Sequence, residues 1–481
     1  TNSMPLRRKT KDGMPIQSDP LSAIETIAAM FPVIQLAAPT GKAAQRMGES
    51  IRKAADRIPD EKIRQHLSKL IPSTIHRLLG LYGDSPKPKR NHQSPIDADI
   101  VVIDEASMMD ISQFARLIDA LSPDCRLILL GDRHQLASVQ AGCVMADICN
   151  AFTPNMFSAG FVKTVNNAIL KPENRITNTG DGARLSPVVE LQYSYRFQDC
   201  KPIGVVSKAV NSGSADDAIA TLSAPQTDDE YCRLSPYPGA NEMAEMVLNE
   251  YRPLFEEQSN PEQALAQLER FMVLTVLNEG PFGREGINEQ VYRSYGGIPP
   301  VRPIKITENS ISHQLFNGDM GVIIRATSED GETVERAWFP SIAGNENAGT
   351  GDRDGSVQGT GSESRQLRVG ALPSGTAPRQ LRVGALPSGT PPRQFLVGAL
   401  PAFVDAFAIT IHNSQGSEFE KVAIVMPSRD TQILTRELLY TGITRAKKRA
   451  VIYGAEELVR AAVSRKIDRH SGLTERLNAC D

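Results

Sequence analysis

Short, unbroken apolar runs alternate with stretches of helical spacing along most of this chain. Residues 33–38, 101–103, 126–130 and 188–191 read as strands. Runs without in–out alternation suit a parallel sheet buried on both faces. Between them, Asp19-Pro20 supplies an N-cap and a first-turn proline. Leu21, Ile24, Ala28 and Phe31 then share one helix face. Thr40-Gly41-Lys42 opens a second helix to about residue 58, and a third covers 111–121. A polar, proline-rich loop separates them at 83–95. This alternation predicts a parallel α/β domain over 19–200, preceded by a loose polar tail at 1–18.

A second α/β region begins near Lys201. Its strands are expected at 271–277, 422–426 and 450–453, and its helices at 287–295 and 434–446. The texture changes between 300 and 403, where short β-like runs such as 321–324 predict an inserted small β domain. The second α/β region therefore falls into two parts, 201–299 and 404–481. Inside the insertion, the segment from Arg365 to Thr376 recurs at 379–390. A third, partial copy starts at Arg393, so the period is 14 residues. A unit this short and rich in Gly and Pro lacks the apolar face that solenoids stack. Residues 365–403 are thus expected to be a low-complexity loop expansion.

Composition adds limits. The 481 residues are 40% hydrophobic and 23% charged, enough for several cored domains. The net charge of -3 neither suggests nor excludes nucleic acid, so a local basic groove would be needed. No apolar run approaches a membrane span, no signal peptide is evident, and the expected location is cytoplasmic. The six cysteines, Cys125, Cys143, Cys149, Cys200, Cys232 and Cys480, form no CxxC pair. Reduced thiols are expected, without a zinc site. The chain opens on Thr1 rather than Met, which fits a fragment or an internal start of a longer reading frame.

The densest chemistry lies at strand ends. Val101-Val102-Ile103 runs straight into Asp104-Glu105. Ligands of parallel sheets bind at the carboxyl ends of strands. There, one carboxylate can hold a phosphate-bound Mg²⁺ and the other can orient or deprotonate a water. A merely exposed acidic pair would look the same in isolation. Leu130-Gly131-Asp132-Arg133-His134-Gln135-Leu136 follows the next strand. Gln135 could bond a γ-phosphate or its attacking water, or simply be solvated. Arg196, in Tyr-Arg-Phe, and Arg445, in Thr-Gly-Ile-Thr-Arg-Ala, are of the type used for bidentate phosphate contact. A last cluster, Ala408 to Phe419, mixes polar side chains with Gly416, which permits close backbone approach.

In this order the elements resemble the superfamily 1 helicases of the 5′-to-3′ branch, and within them the RecD-type alpha subunits of exodeoxyribonuclease V. The matching pieces are APTGKAA at 38–44, STIHRLLG at 73–80, VVIDEAS at 101–107, LLGDRHQLASVQAG at 129–142, YRF at 195–197, FNGDMGVI at 316–323, TIHNSQGSEF at 410–419 and ELLYTGITRAKKR at 437–449. The resemblance implies two RecA-like domains with ATP between them and an SH3-like insertion in the second. It implies Asp104 on Mg²⁺, Glu105 as general base, Gln135 on the γ-phosphate, and Arg196 and Arg445 as phosphate-contacting arginines. Gly416 and Glu418 would couple nucleotide to DNA, while Thr40, Lys42, His76 and His412 would line a single-stranded DNA track. The implied partners are single-stranded DNA and the beta and gamma subunits of that enzyme.

Two departures stand out. No GxxxxGK[ST] phosphate loop occurs in the chain; Leu36 stands where the glycine five residues before Gly41 would be. In the family such a loop precedes the helix expected at 21–31, and an N-terminal domain that contacts the partners comes earlier still. An N-terminally truncated translocase is therefore expected, with a degenerate, ATPase-inactive DNA-binding or structural subunit as the alternative. In addition, Asn413 replaces the family's usual lysine.

Overall fold

The computed structural model describes residues 31–81, 87–137, 142–168, 176, 186–191, 201–256, 260–310, 312–327, 333–341, 391–467 and 472–479. The expected tail at 1–18, the first helix, Arg196 and the first two copies of the repeat (bar Pro391-Pro392) lie outside these residues.

In chain order the strands are β1 (Ile34–Ala38), β2 (Ser73–Thr74), β3 (Ile100–Ile103), β4 (Arg126–Leu129), β5 (Tyr231–Ser235), β6 (Phe271–Thr275), β7 (Val301–Ile306), β8 (Met320–Thr327), β9 (Thr333–Phe339), β10 (Arg393–Leu396), β11 (Phe403–Asp405), β12 (Ala408–Thr410), β13 (Phe419–Val425) and β14 (Ala446–Tyr453). They build three sheets. The first is parallel, in the order β2-β1-β3-β4. Another is parallel, in the order β12-β6-β13-β14-β5. The third, β10-β9-β8-β7-β11, is antiparallel and is inserted between β6 and β12 in the chain. The fold is therefore α/β with two RecA-like parallel sheets and a small β insertion.

The apolar runs become strands for the reason their pattern implied. Val101 and Ile103 are wholly buried between layers, as is β6 from Phe271 to Leu274. The Gly41–Ala55 helix begins where Thr40 accepts from Ala43 N at 3.2 Å, and Ala43, Ala44 and Met47 face the core. The Arg436–Ile443 helix starts with the same device at Thr435 and lies flat on the second sheet. A Cβ at its Gly442 would stand 3.2 Å from Ile411 Cδ1 and 3.3 Å from Ile424 Cδ1. The C-terminal Leu473–Asn478 helix returns to the first domain, where Thr474 Oγ1 donates to Asp147 O at 3.1 Å.

Two expectations change. Residues 188–191 form no strand. Their backbone is held chiefly by Asn155 instead: Glu190 N donates to Asn155 Oδ1 and Asn155 Nδ2 donates to Glu190 O, both at 3.0 Å, and Asn155 N donates to Val188 O at 3.0 Å. Val189 and Leu191 are left 63% and 87% exposed, so a β-rich run with no ladder partner among the described residues stays an extended segment. The third repeat copy, in turn, is not a low-complexity loop. It supplies β10, paired antiparallel with β9. Phe395 stacks edge-on against Phe339 with centroids 5.8 Å apart, and Val397 and Leu400 join the same core. Arg393 donates to the carbonyls of His313, Gln314 and Pro340.

Deleting residues 365–392, two whole periods of the low-complexity expansion expected from the sequence, should leave the melting temperature nearly unchanged, because shortening such a segment changes closure entropy little. Deleting 393–400 should lower it by several degrees, since β9 loses its edge partner. Thermal melts of both deletions check this, and a large loss in the first would show that the upstream copies are packed.

Candidate active site

The acidic pair sits at the carboxyl end of β3, beside the ends of β1 and β4. Asp104 N donates to Ala37 O at 2.9 Å, tying it to β1. Asp104 Oδ1 accepts from Glu105 N at 2.9 Å. This turns the chain sharply: Glu105 lies in the left-handed region, φ 52 and ψ 38, a conformation costing a non-glycine residue about 1–2 kcal/mol. Gly131 crosses the turn so closely that a Cβ would lie 3.0 Å from Ser107 N. That crossing is why Leu130-Gly131-Asp132 needs a glycine at its centre. Burial raises the pKa of both carboxyls above the usual range. At Glu105 the charge of Arg445 opposes that rise and Asp104 adds to it.

The second domain closes the site. Gly416, with φ 69, sits over the start of the Gly41–Ala55 helix; a Cβ there would be 3.6 Å from Thr40 Oγ1. Glu418 meets Arg46 at 3.8 Å. A cavity of about 530 Å³ lies between the two domains, with Asp104, Glu105 and Arg46 on one side and Gly416 and Glu418 on the other. Arg445 is 2% exposed. Its Nε donates to Thr441 O and its Nη1 to Ser417 O, both at 3.1 Å. Those carbonyls hold the guanidinium in place, and its charge reaches Glu105.

The Gln135 loop bridges the domains. Gln135 Nε2 donates to Asp132 Oδ2 at 3.2 Å, and the same oxygen accepts from Tyr440 OH at 2.8 Å. Leu136 N donates to Thr441 Oγ1 at 2.8 Å, and Gln415 Nε2 donates to Leu136 O at 2.6 Å. Leu136 itself is buried in the core of the second domain.

The expected DNA-side residues are spread over three elements. Thr40 is committed as a helix cap. Lys42 lies in the first turn of that helix, its amine brought down to about 8, chiefly by burial and then by Arg46, against Glu269, Asp319 and Glu418. His76 is exposed on the short Ile75–Leu78 helix after β2. His412 opens the 3-10 turn after β12, and Asn413 beside it is exposed. The insertion reaches this side too, since the Phe316 ring covers Gly41. Arg46, Leu136, Tyr440 and Thr441 were not singled out from sequence. The available signals were that Arg46 follows Lys42 by one helical turn, and that Leu136 is an apolar residue in a polar loop.

Among known proteins, an AAA domain model matches residues 21–141, and a UvrD-like helicase C-terminal domain model matches 405–453. The RecBCD enzyme subunit RecD of Mycolicibacterium smegmatis is 32% identical over 458 residues, covering 93% of this chain and 66% of that protein. RecD of Haemophilus influenzae is 29% identical and covers 92% and 64%. The ATP-dependent RecD2 DNA helicase of Deinococcus radiodurans is 25% identical and covers 93% and 46%. The chain thus spans two thirds or less of the length of these relatives. With an AAA domain model matched toward one end, a UvrD-like helicase C-terminal domain model toward the other, and RecD proteins aligned along nearly all of it, the chain belongs to the RecD-type superfamily 1 helicases.

Proposed function

We propose that this chain is the motor part of an ATP-driven 5′-to-3′ single-stranded-DNA translocase, acting as a subunit of an exodeoxyribonuclease V in double-strand-break repair and recombination. The observation that carries the reading is the cleft itself. It has Asp104 and Glu105 on one sheet, Arg445 beside Glu105 from the other, and the Gln135 loop bonded to both domains. The donor set suits a magnesium nucleotide, since a hard cation takes carboxylate oxygen and Asp104 is such a ligand at a strand end. Bound there, the metal would neutralise phosphate charge. Glu105 then takes a proton from the attacking water, Gln135 orients that water, and Arg445 with Arg196 counters the charge that develops. Gly416 and Glu418, contacting the Gly41–Ala55 helix, couple the nucleotide side to Thr40, Lys42, His76 and His412 on the DNA side. The beta and gamma subunits of the enzyme are the partners proposed from the RecD relatives. No helix among the described residues is long and apolar enough to cross a membrane.

The test is translocation by the assembled motor on oligonucleotides carrying streptavidin at one end. ATP-dependent displacement from the 3′ end alone is expected, and displacement from the 5′ end alone would reverse the direction. A second reading, a DNA-binding subunit without turnover, has one observation in its favour: no GxxxxGK[ST] occurs in the 481 residues. DNA binding without any hydrolysis by the assembly would select it.

Lys42 offers a pH signature. A phosphate contact requires the charged amine, and here that charge is lost through about pH 8 rather than near the ordinary 10.5. Single-stranded DNA affinity should therefore fall as pH rises from 7 to 9, by at most about tenfold per unit. Lys42→Arg should flatten the profile, because guanidinium stays charged. An equal fall in the Arg variant would remove Lys42 from the track.

A further inference from the structure

We infer that Tyr440 is a positioning residue for hydrolysis: from the second domain it holds Asp132, and Asp132 fixes which end of the Gln135 amide meets the attacking water. The inference rests on the reading of Gln135 given above.

The Asp132 carboxylate is the hub. Its Oδ1 accepts from His134 N at 2.9 Å, and its Oδ2 accepts from both Tyr440 OH and Gln135 Nε2. The backbone repeats the link, with Gln135 N donating to Asp132 O at 3.2 Å. An ionised carboxylate only accepts, so it selects the NH₂ end of the glutamine. Oε1 is thereby turned away from Asp132 as an acceptor, while the second N–H of Nε2 remains able to donate. A water attacking phosphorus has two protons. One goes to the general base Glu105, and the other has the Gln135 Oε1 as its natural acceptor. A flipped amide would point a donor at a donor.

Tyr440 makes this arrangement depend on the second domain. It stands 308 residues from Asp132 in sequence, on the Arg436–Ile443 helix. Burial, and then the Asp132 carboxylate, hold its phenol well above the ordinary tyrosine range, so it stays a donor. The loop is gripped again one residue past Gln135, where Leu136 bonds Thr441 and Gln415 and enters the second core. Gln135 thus lies between two cross-domain anchors. Its amide is correctly presented when the domains are docked as here, which ties turnover to closure.

The test has two arms. In the full 481-residue chain, 3-fluorotyrosine placed at position 440 gives one ¹⁹F line, and Asp132→Asn should shift it. In the assembled motor at saturating single-stranded DNA, Tyr440→Phe should lower kcat by about tenfold, the worth of one lost buried hydrogen bond, with KM for ATP and DNA affinity within about twofold of wild type. A ¹⁹F line blind to Asp132→Asn, or wild-type kcat in Tyr440→Phe, overturns the inference. So does a parallel loss of kcat, ATP affinity and melting temperature, which would mark a structural role only. Failure of the wild-type assembly to hydrolyse ATP would instead overturn the parent reading, and the ¹⁹F arm keeps the two failures apart.

Discussion

Glu105→Gln should reduce DNA-stimulated ATP hydrolysis by the assembled motor by about 10²–10⁴-fold while leaving Mg-ATP and DNA binding nearly intact. A general base acts on the water in the transition state, so its loss appears in kcat. The environment of Glu105 suits that role. Burial pushes its carboxyl up, Asp104 pushes it further, and Arg445 restrains the rise. A base whose pKa is moved toward the working pH transfers protons more effectively. The rate should accordingly rise with pH through a value above the ordinary glutamate range. The same burial gives a stability signature of opposite sign. A carboxyl raised in the fold contributes stability that is complete below its unfolded pKa and is lost as pH rises through the folded one. Glutamine never ionises, so Glu105→Gln should melt higher than wild type at neutral pH, and the difference should vanish in acid. A less active yet more stable variant is hard to explain as damage. Phosphate release and thermal melts at two pH values check both halves, and hydrolysis at the wild-type rate would take Glu105 out of the mechanism.

What the sequence made legible was what a single strand end can encode. Val101-Val102-Ile103 before Asp104-Glu105 reads as a parallel strand with carboxylates at its carboxyl end, and the structure has that arrangement, with Val101 and Ile103 wholly buried. Neighbouring strands could be placed similarly, because each carries its own apolar run. What escaped depends on partners far away in the chain. Residues 188–191 have strand composition, but strand formation needs a neighbour, and Asn155 satisfies their backbone instead. The third repeat copy is spelled almost like the two before it. It is a strand because Phe339 and the His313 and Gln314 carbonyls receive Phe395 and Arg393. Tyr440 and Leu136 each look ordinary. Their importance is a hydrogen bond and a buried contact across domains some 300 residues apart. No local period or propensity carries that information.

The 481-residue chain alone should bind ATP very weakly, yet keep salt-sensitive affinity for single-stranded DNA. A phosphate loop contributes several charge-assisted hydrogen bonds at roughly 1.5–3 kcal/mol each. Without about three of them the loss is roughly 5–9 kcal/mol, or about 10³–10⁶ in affinity. The first sheet bears on where such a grip would attach. Among the described residues β4 is an edge strand, and Ile128 and Leu130 are 44% and 45% exposed there. The segment 186–191, which forms no strand, is pinned near the same strand's end by the Arg133–Glu190 ion pair at 3.0 Å. An edge with exposed apolar side chains accepts a further strand readily, and its carboxyl end would lie beside the acidic turn. Thr40-Gly41-Lys42 is a poor substitute. The Thr40 hydroxyl is already used as a cap, and the Lys42 amine sits among the charges of Glu269, Asp319 and Glu418. On the proposed DNA side Lys42 is still charged below about pH 8 and His76 is exposed, and contacts to phosphate weaken with salt as counterion release yields less free energy. Asn413 is exposed beside His412, so Asn413→Lys should steepen the salt dependence by up to about 0.7 in log–log slope for one single-strand contact. Nucleotide titration beside DNA titrations at several salt concentrations decides the matter. Micromolar ATP affinity in this chain alone would mean that a local element does grip phosphate, and the assignment of Thr40 and Lys42 to the DNA side would have to be withdrawn.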